Sequence, residues 1–160
     1  MNLTKNRLLK NINTILSRWG FSQQGLFQNS KGEWYFFSQI LVIFLHLIPP
    51  YPNIENIPFT IHTLLIIIGL TISIKGLFIG LQAFIDLGDN LTPLPYPMKN
   101  SNLINNNSYQ NTRHPIYKGL LLISLGICIL SLSLIHLFLL LLLAYILKTK
   151  SKKEEERLKI

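Results

Sequence analysis

The chain has 160 residues, of which 49% are hydrophobic and only 14% are charged, and its mean hydropathy is positive. A soluble domain of this length needs more charged surface, so the composition argues against one. The formal net charge of +8 does not indicate nucleic-acid binding, because the basic residues lie at the ends of apolar runs rather than along one face of a soluble element.

The N-terminal residues are predicted to lie on the membrane surface. Residues 3–19 place apolar side chains at spacings of three and four, with most basic residues elsewhere. This pattern predicts an amphipathic interfacial helix, with a plain soluble helix or a disordered tail as alternatives. Together with a glycine-containing linker it forms a predicted segment 1–32, and residues 33–160 form one predicted all-α membrane domain.

That domain is expected to be polytopic, with about four transmembrane helices. A spanning helix needs roughly 20 residues, fewer where flanking side chains snorkel. The third and fourth apolar stretches form one run that is long for a single helix and is interrupted by Ser131 and Ser133, so we predict a hairpin, with one long tilted helix as the alternative. The predicted spans are about 34–48, 58–85, 116–130 and 134–147.

The distribution of basic residues supports this topology. Lysine and arginine are concentrated in the N-terminal segment, in the loop at 86–118 and in the C-terminal tail, whereas the loop at 51–57 and the turn at 131–133 have none. With four spans every basic loop falls on one side, which the positive-inside rule makes cytoplasmic. We therefore expect both termini in the cytoplasm of a multi-pass protein.

Two sets of polar or small residues in the spans predict helix packing. Gly69, Ser73, Gly76 and Gly80 form one stripe along the second span, a spacing that lets another helix approach closely. Three histidines in or near the spans have no metal-ligand spacing, so we expect interhelical hydrogen bonds or an interface location and no metal site. They are His46, His62 and His136.

A short motif after the long polar loop carries the strongest chemical signal. It reads Arg113-His114-Pro115-Ile116-Tyr117-Lys118-Gly119. Pro115 suits the first position of a helix, which places Arg113 and His114 at an N-terminal edge that attracts anions. His114 and Tyr117 can face the same way, and Gly119 leaves room for a ligand. The alternative is that the basic residues only set topology and Tyr117 is an interface aromatic.

The motif is part of a longer pattern. LTPLPYP (91–97), Tyr109, the RHPIYKG run, a helical hairpin and KKEEERL (152–158) follow one another in this order. Over about residues 65–158 this pattern resembles the isoprenylcysteine carboxyl methyltransferase-like family of integral membrane enzymes. Related membrane methyltransferases that act on phospholipids share the RHP…Y…G and Glu-Glu elements.

The resemblance implies a methyltransferase that uses S-adenosylmethionine (SAM), bound on the cytoplasmic side. By matching position, Arg113 would hold a substrate carboxylate or organise the pocket, and the Glu154-Glu155 pair would position the cofactor and order the active site. The alternative for these acids is a solvated charge run that pairs with Lys150 to Lys153. The implied catalytic residues are Arg113 and Glu155, and the implied cofactor-binding residues are His114, Tyr117, Gly119 and Glu154.

The expected reaction is O-methylation of a lipophilic carboxylate, such as a prenylcysteine-like group, which is ionised at neutral pH and needs no general base. The alternative enzyme is a phospholipid N-methyltransferase, whose ammonium acceptor must first lose a proton, so His114 or a glutamate would serve as base. The expected partners are the lipid bilayer and a lipophilic methyl acceptor, without nucleic acid or metal.

The chain departs from the family pattern in two places. Asn107-Ser108-Tyr109 stands where the family commonly has Gly-Pro-Tyr, although Asn also tolerates a left-handed turn. The sequence stops at Ile160, whereas the family normally continues with an aromatic segment and a basic end that help close the active site. A truncated, non-catalytic membrane scaffold protein is therefore the alternative from another functional class.

Overall fold

A computed structural model describes residues 19–52, 57–90, 92–96, 107–110 and 112–158, so the predicted helix over 3–19 lies outside it except for Trp19. The described chain is all-helical. Two short 3-10 helices, Gly88–Asn90 and Asn107–Tyr109, border the long loop. The α-helices are α1 (Gln23–Gln28), α2 (Glu33–Leu45), α3 (Phe59–Leu87), α4 (Pro115–Ser131) and α5 (Leu134–Leu158).

Two of these helices are long and apolar enough to cross a membrane. They are α3 and the Leu134–Arg157 part of α5, and most of the apolar surface of α3 is exposed, as a lipid-facing helix requires. Helices α2 and α4 are apolar but shorter. The structure therefore supports two spans by length and composition, and four spans stay a prediction.

Glycines on both partners bring α3 and α4 into close contact. A Cβ atom on Gly69 would lie 2.9 Å from the Gly126 carbonyl oxygen, and one on Gly76 would lie 2.7 Å from the Gly119 oxygen. Both distances are too short for a real contact with rigid backbone, so a side chain at either position would force the helices apart. The close approach predicted from the small-residue stripe of α3 is confirmed.

The apolar run after residue 115 is broken into two antiparallel helices. Leu132 adopts a left-handed backbone conformation, with φ of 46°, and its N–H group donates to the Cys128 carbonyl to end α4. Helix α5 begins two residues later and packs against α2. The buried apolar core between these two helices consists of Val42, Leu139, Leu143, Ile146 and Leu147.

Histidines join the helices at the end of the bundle where α4 turns into α5. His46 Nε2 lies 2.6 Å from Ser124 Oγ of α4, and His136 Nε2 of α5 lies 3.3 Å from the His46 carbonyl oxygen. The interhelical hydrogen bonds predicted for these two residues are confirmed. His62, at the start of α3, is exposed.

The glycine contact gives a matched pair of substitutions. Gly76→Ala places a methyl group against backbone atoms of α4, whereas Gly80→Ala meets nothing closer than the Gly119 Cα at 3.9 Å. Both changes give the same gain in helix propensity, so their difference reports the packing. We expect Gly76→Ala to lose about 1–3 kcal/mol of stability relative to Gly80→Ala, measured by thermal unfolding in detergent. Equal midpoints would contradict the close α3–α4 contact.

Candidate active site

His114, the residue before α4, lies between two carboxylates of α5. Its Nδ1 is 3.3 Å from Glu154 Oε2, and its Nε2 is 3.1 Å from Glu155 Oε1. Only a protonated imidazole donates from both nitrogens, so this arrangement favours the charged form. The site therefore consists of a partly buried histidine with a carboxylate at each ring nitrogen.

Tyr117 completes this cluster one turn into α4. Its hydroxyl donates a short hydrogen bond to Glu154 Oε1, and its ring stacks on the His114 ring with the centroids 5.2 Å apart and the planes 6° from parallel. His114 and Tyr117 therefore face the same way, and both contact Glu154. The alternative in which Tyr117 is only an interface aromatic does not account for this contact.

Arg113 lies at the outer edge of the cluster. Its Nη1 is 3.9 Å from Glu155 Oε2, and 63% of its side chain is exposed. A pair this long and this exposed contributes little stability. The guanidinium is therefore engaged by Glu155 but remains accessible to a ligand from solvent.

The loop before the site is tied to the end of α3. Asp86 accepts hydrogen bonds from Asn107 Nδ2 at 3.2 Å and from the Ser108 N–H at 3.1 Å. Asn107 has a φ of 51°, so asparagine adopts here the left-handed conformation expected of it in place of glycine. The Tyr109 hydroxyl donates to the Ala83 carbonyl at 3.4 Å. These contacts fix the chain shortly before it enters the RHP motif.

The electrostatics of the cluster follow from its acids. Burial by itself would lower the pKa of His114, but the hydrogen bonds and negative charge of Glu154, and then those of Glu155, outweigh it and raise that pKa above its ordinary value. Burial, followed by the charges of Asp86 and Glu154, raises the pKa of Tyr109 to about 12. At neutral pH Tyr109 is therefore a neutral phenol.

A groove of about 620 Å³ between α4 and α5 opens from this cluster, a size typical of small-molecule sites. Its lining is polar near the site, because the start of α4 and the end of α5 meet there, and it becomes apolar toward the middle of both helices. The polar residues are Thr112, His114, Tyr117, Lys118, Lys148 and Ser151, and the apolar ones are Leu121, Leu122, Leu125, Leu140, Ala144 and Leu147.

The structure brings together five of the six predicted site residues. Gly119 differs, because its open side faces the backbone of α3, where an added Cβ would lie 2.8 Å from the Gly80 Cα. It thus serves helix packing in the structure, and its proposed role in ligand binding stays a prediction.

Three residues around the site were not predicted from the sequence, namely Asp86, Gln39 and Lys150. Lys150 is 3% exposed, and its Nζ donates to Gln39 Oε1 at 3.1 Å. Two features of the sequence could have indicated the Gln39–Lys150 contact. One is a polar glutamine inside the apolar α2, and the other is a lysine four residues before Glu154.

Comparison with known proteins identifies the class. The family model described as phospholipid methyltransferase matches residues 64–159, which are 96 of the 160 residues. The chain therefore belongs to the phospholipid methyltransferase family, a family of membrane methyltransferases, and with its two apolar helices it is an integral membrane protein. No curated protein and no solved structure matched the chain.

The match narrows the expectations drawn from the sequence. It covers nearly the same stretch as the resemblance at about 65–158 and confirms a methyltransferase of this general type. It does not specifically support the isoprenylcysteine branch, and the phospholipid alternative fits the family at least as well. A methyltransferase family implies a methyl donor of the SAM type.

The acids around His114 give a measurable signature. We expect the pKa of His114 in the full chain to lie above 6.5, to fall in Glu154→Gln and to fall less in Glu155→Gln, because Glu154 contributes more to the shift. The measurement is an NMR titration of labelled histidine in micelles, assigned with His114→Asn. Glu156→Gln, on the same helix and exposed, is the control. A wild-type value at or below 6.5 would refute the two-carboxylate cluster.

The same shift predicts how stability depends on pH. Because the pKa of His114 is raised on folding, its charged form contributes stability that is fully present below 6.5 and is lost as pH rises through the folded value. We expect the thermal midpoint of the wild type to decline through this window by more than that of His114→Asn. If the thermal midpoints of the wild type and of His114→Asn decline equally, protonation of His114 is not coupled to folding.

Proposed function

We propose that the chain N-methylates the amine headgroup of a phospholipid, with SAM as methyl donor and His114, Glu154 and Glu155 at the reacting centre. The observation that carries this proposal is the pair of carboxylates that flanks His114. Once His114 is neutral, as it must be to accept a proton, Glu154 and Glu155 are the charges nearest to it, and they attract an ammonium group and disfavour a carboxylate acceptor. Arg113, the expected partner of a substrate carboxylate, lies at the exposed edge of the cluster, next to Glu155.

The residues present fit a cationic methyl donor. Glu154 offers a carboxylate at the edge of the stacked His114 and Tyr117 rings. A carboxylate favours a sulfonium cation by its charge. When bound, SAM supplies a methyl group that an electron pair can attack. In this proposal Tyr117 and Glu154 hold the donor, and Glu155, the more exposed acid, faces the acceptor.

His114 is proposed as the general base. An ammonium acceptor carries no free electron pair, so one proton must leave before its nitrogen can bond to carbon. Neutral His114 can take that proton at Nε2, and the resulting imidazolium is stabilised by Glu154 and Glu155. The raised pKa of His114 suits it to receive a proton from an amine. The rate of methyl transfer should therefore rise as the pH increases through the pKa of His114.

The groove between α4 and α5 supports a lipid as the acceptor. Its apolar part can take an acyl chain, and Lys118 and Lys148, both exposed, lie at the end near the site, with no acid among the residues that line the groove. Lysine binds phosphate well as a point charge. A phospholipid places a phosphate between its acyl chains and its amine, the order in which the groove presents apolar residues, lysines and the His114 cluster.

The membrane topology belongs to the same proposal. We propose the four spans of the sequence analysis, with both termini and the His114 cluster on the cytoplasmic side. The basic residues Lys148 to Lys153 close to the cluster support that side. Gln39 of α2 and His46, the residue that follows this helix, are buried and contact the neighbouring helices, which suits a helix packed inside a bundle.

Methyl transfer from radiolabelled SAM tests the function. Membranes that contain the full chain are offered phosphatidylethanolamine and, separately, a prenylcysteine acceptor. We expect label in a base-stable lipid headgroup, and a loss of at least about 100-fold in His114→Ala, as for removal of a general base. Glu156→Gln should transfer at the wild-type rate. Label in a base-labile ester would favour carboxyl O-methylation, and no transfer above His114→Ala would support the non-catalytic scaffold.

The groove is tested by filling it. Ala144→Trp places a large side chain in the apolar part, whereas Tyr145→Trp introduces a tryptophan at the neighbouring, outward-facing position, where an aromatic ring is already present. We expect Ala144→Trp to reduce kcat/KM for a long-chain phosphatidylethanolamine by about tenfold or more, with a smaller effect on a short-chain analogue. Equal losses for both acceptors, or equal losses in both variants, would exclude the groove as the acyl-chain site.

A further inference from the structure

Lys150 places a buried positive charge behind the site. Only 3% of the residue is exposed, and among the described residues its ammonium has one hydrogen-bond acceptor, Gln39 Oε1 of α2 at 3.1 Å. The same ammonium lies 5.2 Å from the centroid of the Tyr117 ring. It does not line the groove. Lys150 therefore contacts the His114 cluster from the protein interior, not from the side where a lipid would enter.

Stability does not explain why the Lys150 ammonium group is buried. Removing a charge from water is costly, and one neutral amide does not compensate for it. Glu154 lies one helical turn further along the same face of α5, and its charge interacts with that of Lys150. Tyr117 joins the two, because its ring faces Lys150 and its hydroxyl donates to Glu154.

We propose that Lys150, held by Gln39, is a positioning residue for methyl transfer, which fixes the Tyr117 ring and the Glu154 carboxylate and sets the charge balance of the His114 cluster. This inference rests on the proposed function of that cluster. Three contacts connect α2 to the site: Gln39 with Lys150, Lys150 with the Tyr117 ring, and Tyr117 with Glu154.

The charge balance depends on the other groups around the cluster. Arg113 is a second cation at the cluster, but it is largely exposed and lies next to Glu155. Lys150 is thus the buried cation on the Glu154 side at neutral pH, and burial lowers its pKa to about 8, so its charge is lost toward alkaline pH. A cation favours the unprotonated state of its neighbours, so its removal should make His114 keep its proton to higher pH. The titratable and charged groups around His114 are Tyr117 from α4, Lys150, Glu154 and Glu155 from α5, and Arg113 and Tyr109 from the preceding loop.

The test compares Lys150→Met, Lys150→Arg and Lys152→Met in the full chain, with labelled SAM and phosphatidylethanolamine vesicles between pH 6 and 9. Lys152 is exposed on the same helix and is the control. For Lys150→Met we expect kcat to fall about tenfold, both KM values to stay within about threefold, and the midpoint of the pH–rate profile to rise by about one pH unit. Lys150→Arg should restore most of the rate, and Lys152→Met should match the wild type.

An NMR titration of His114 in the same variants separates this inference from the proposed function. If the wild type transfers no methyl group, the proposed function fails, yet the His114 midpoint still shows whether Lys150 acts on the cluster. A folded Lys150→Met chain with unchanged kcat and an unchanged His114 midpoint overturns the inference and leaves Lys150 a packing residue.

A second variant covers the case in which Lys150→Met does not fold. Gln39→Glu keeps a hydrogen-bond acceptor for Lys150 and adds a negative charge that compensates its ammonium. We expect the His114 midpoint to rise in this variant as well, without loss of the folded state. A folded Gln39→Glu chain with an unchanged His114 midpoint would equally refute the inference.

Discussion

The site depends on how far α5 extends past the start of α4. At 1.5 Å per residue, the 17 residues of α4 span roughly 25 Å and the 25 residues of α5 roughly 37 Å. Because the helices are antiparallel and joined by two residues, the excess of α5 lies beyond the first turn of α4. Glu154 and Glu155 are in that excess, next to His114. The free N–H groups and the dipole of α4 favour negative charge at this place.

The α3–α4 contact fixes the position of α4 in the bundle. Backbone meets backbone at Gly76 and Gly119, so the two helices have little freedom to slide or rotate against each other. Asp86, near the end of α3, then holds Asn107 and Ser108, a few residues before His114. Helix α3 thus orients His114 in two ways, through its packing against α4 and through its contacts with the loop. The two carboxylates that flank His114, in contrast, come from α5.

Local patterns predicted the parts of this arrangement that depend on near neighbours. The small-residue stripe of α3, the start of α4 at Pro115 and the turn of Asn107 follow from residue type and spacing. The grouping of His114 and Tyr117 with Glu154 and Glu155 did not follow from spacing, since about 40 residues separate the two pairs. It came from resemblance to a family in which both motifs belong to one site.

The remaining contacts could not be predicted because they join elements that no motif connects. Gln39 and Lys150 are 111 residues apart, and their hydrogen bond depends on α2 packing against α5. Likewise, Gly119 was assigned to a ligand because it follows the RHP motif, whereas its position on the α3 face of α4 becomes visible only once the two helices are packed. A glycine near an active site can serve the ligand or a neighbouring helix, and sequence alone does not distinguish these roles.

The choice of methyl acceptor is a question of charge. A carboxylate acceptor would enter a site that already has two carboxylates within hydrogen-bonding distance of one histidine, and the only guanidinium at its edge is largely exposed among the residues that the structure describes. An ammonium acceptor meets the opposite situation once His114 is neutral: the acids attract it, and the histidine can remove its proton. If binding depends on this attraction, a quaternary ammonium headgroup should still bind but can no longer be methylated, so such a lipid would be a competitive inhibitor. Inhibition by a phosphatidylcholine analogue, absent for a lipid with an uncharged headgroup, would distinguish attraction by the two acids from binding through the acyl groove alone.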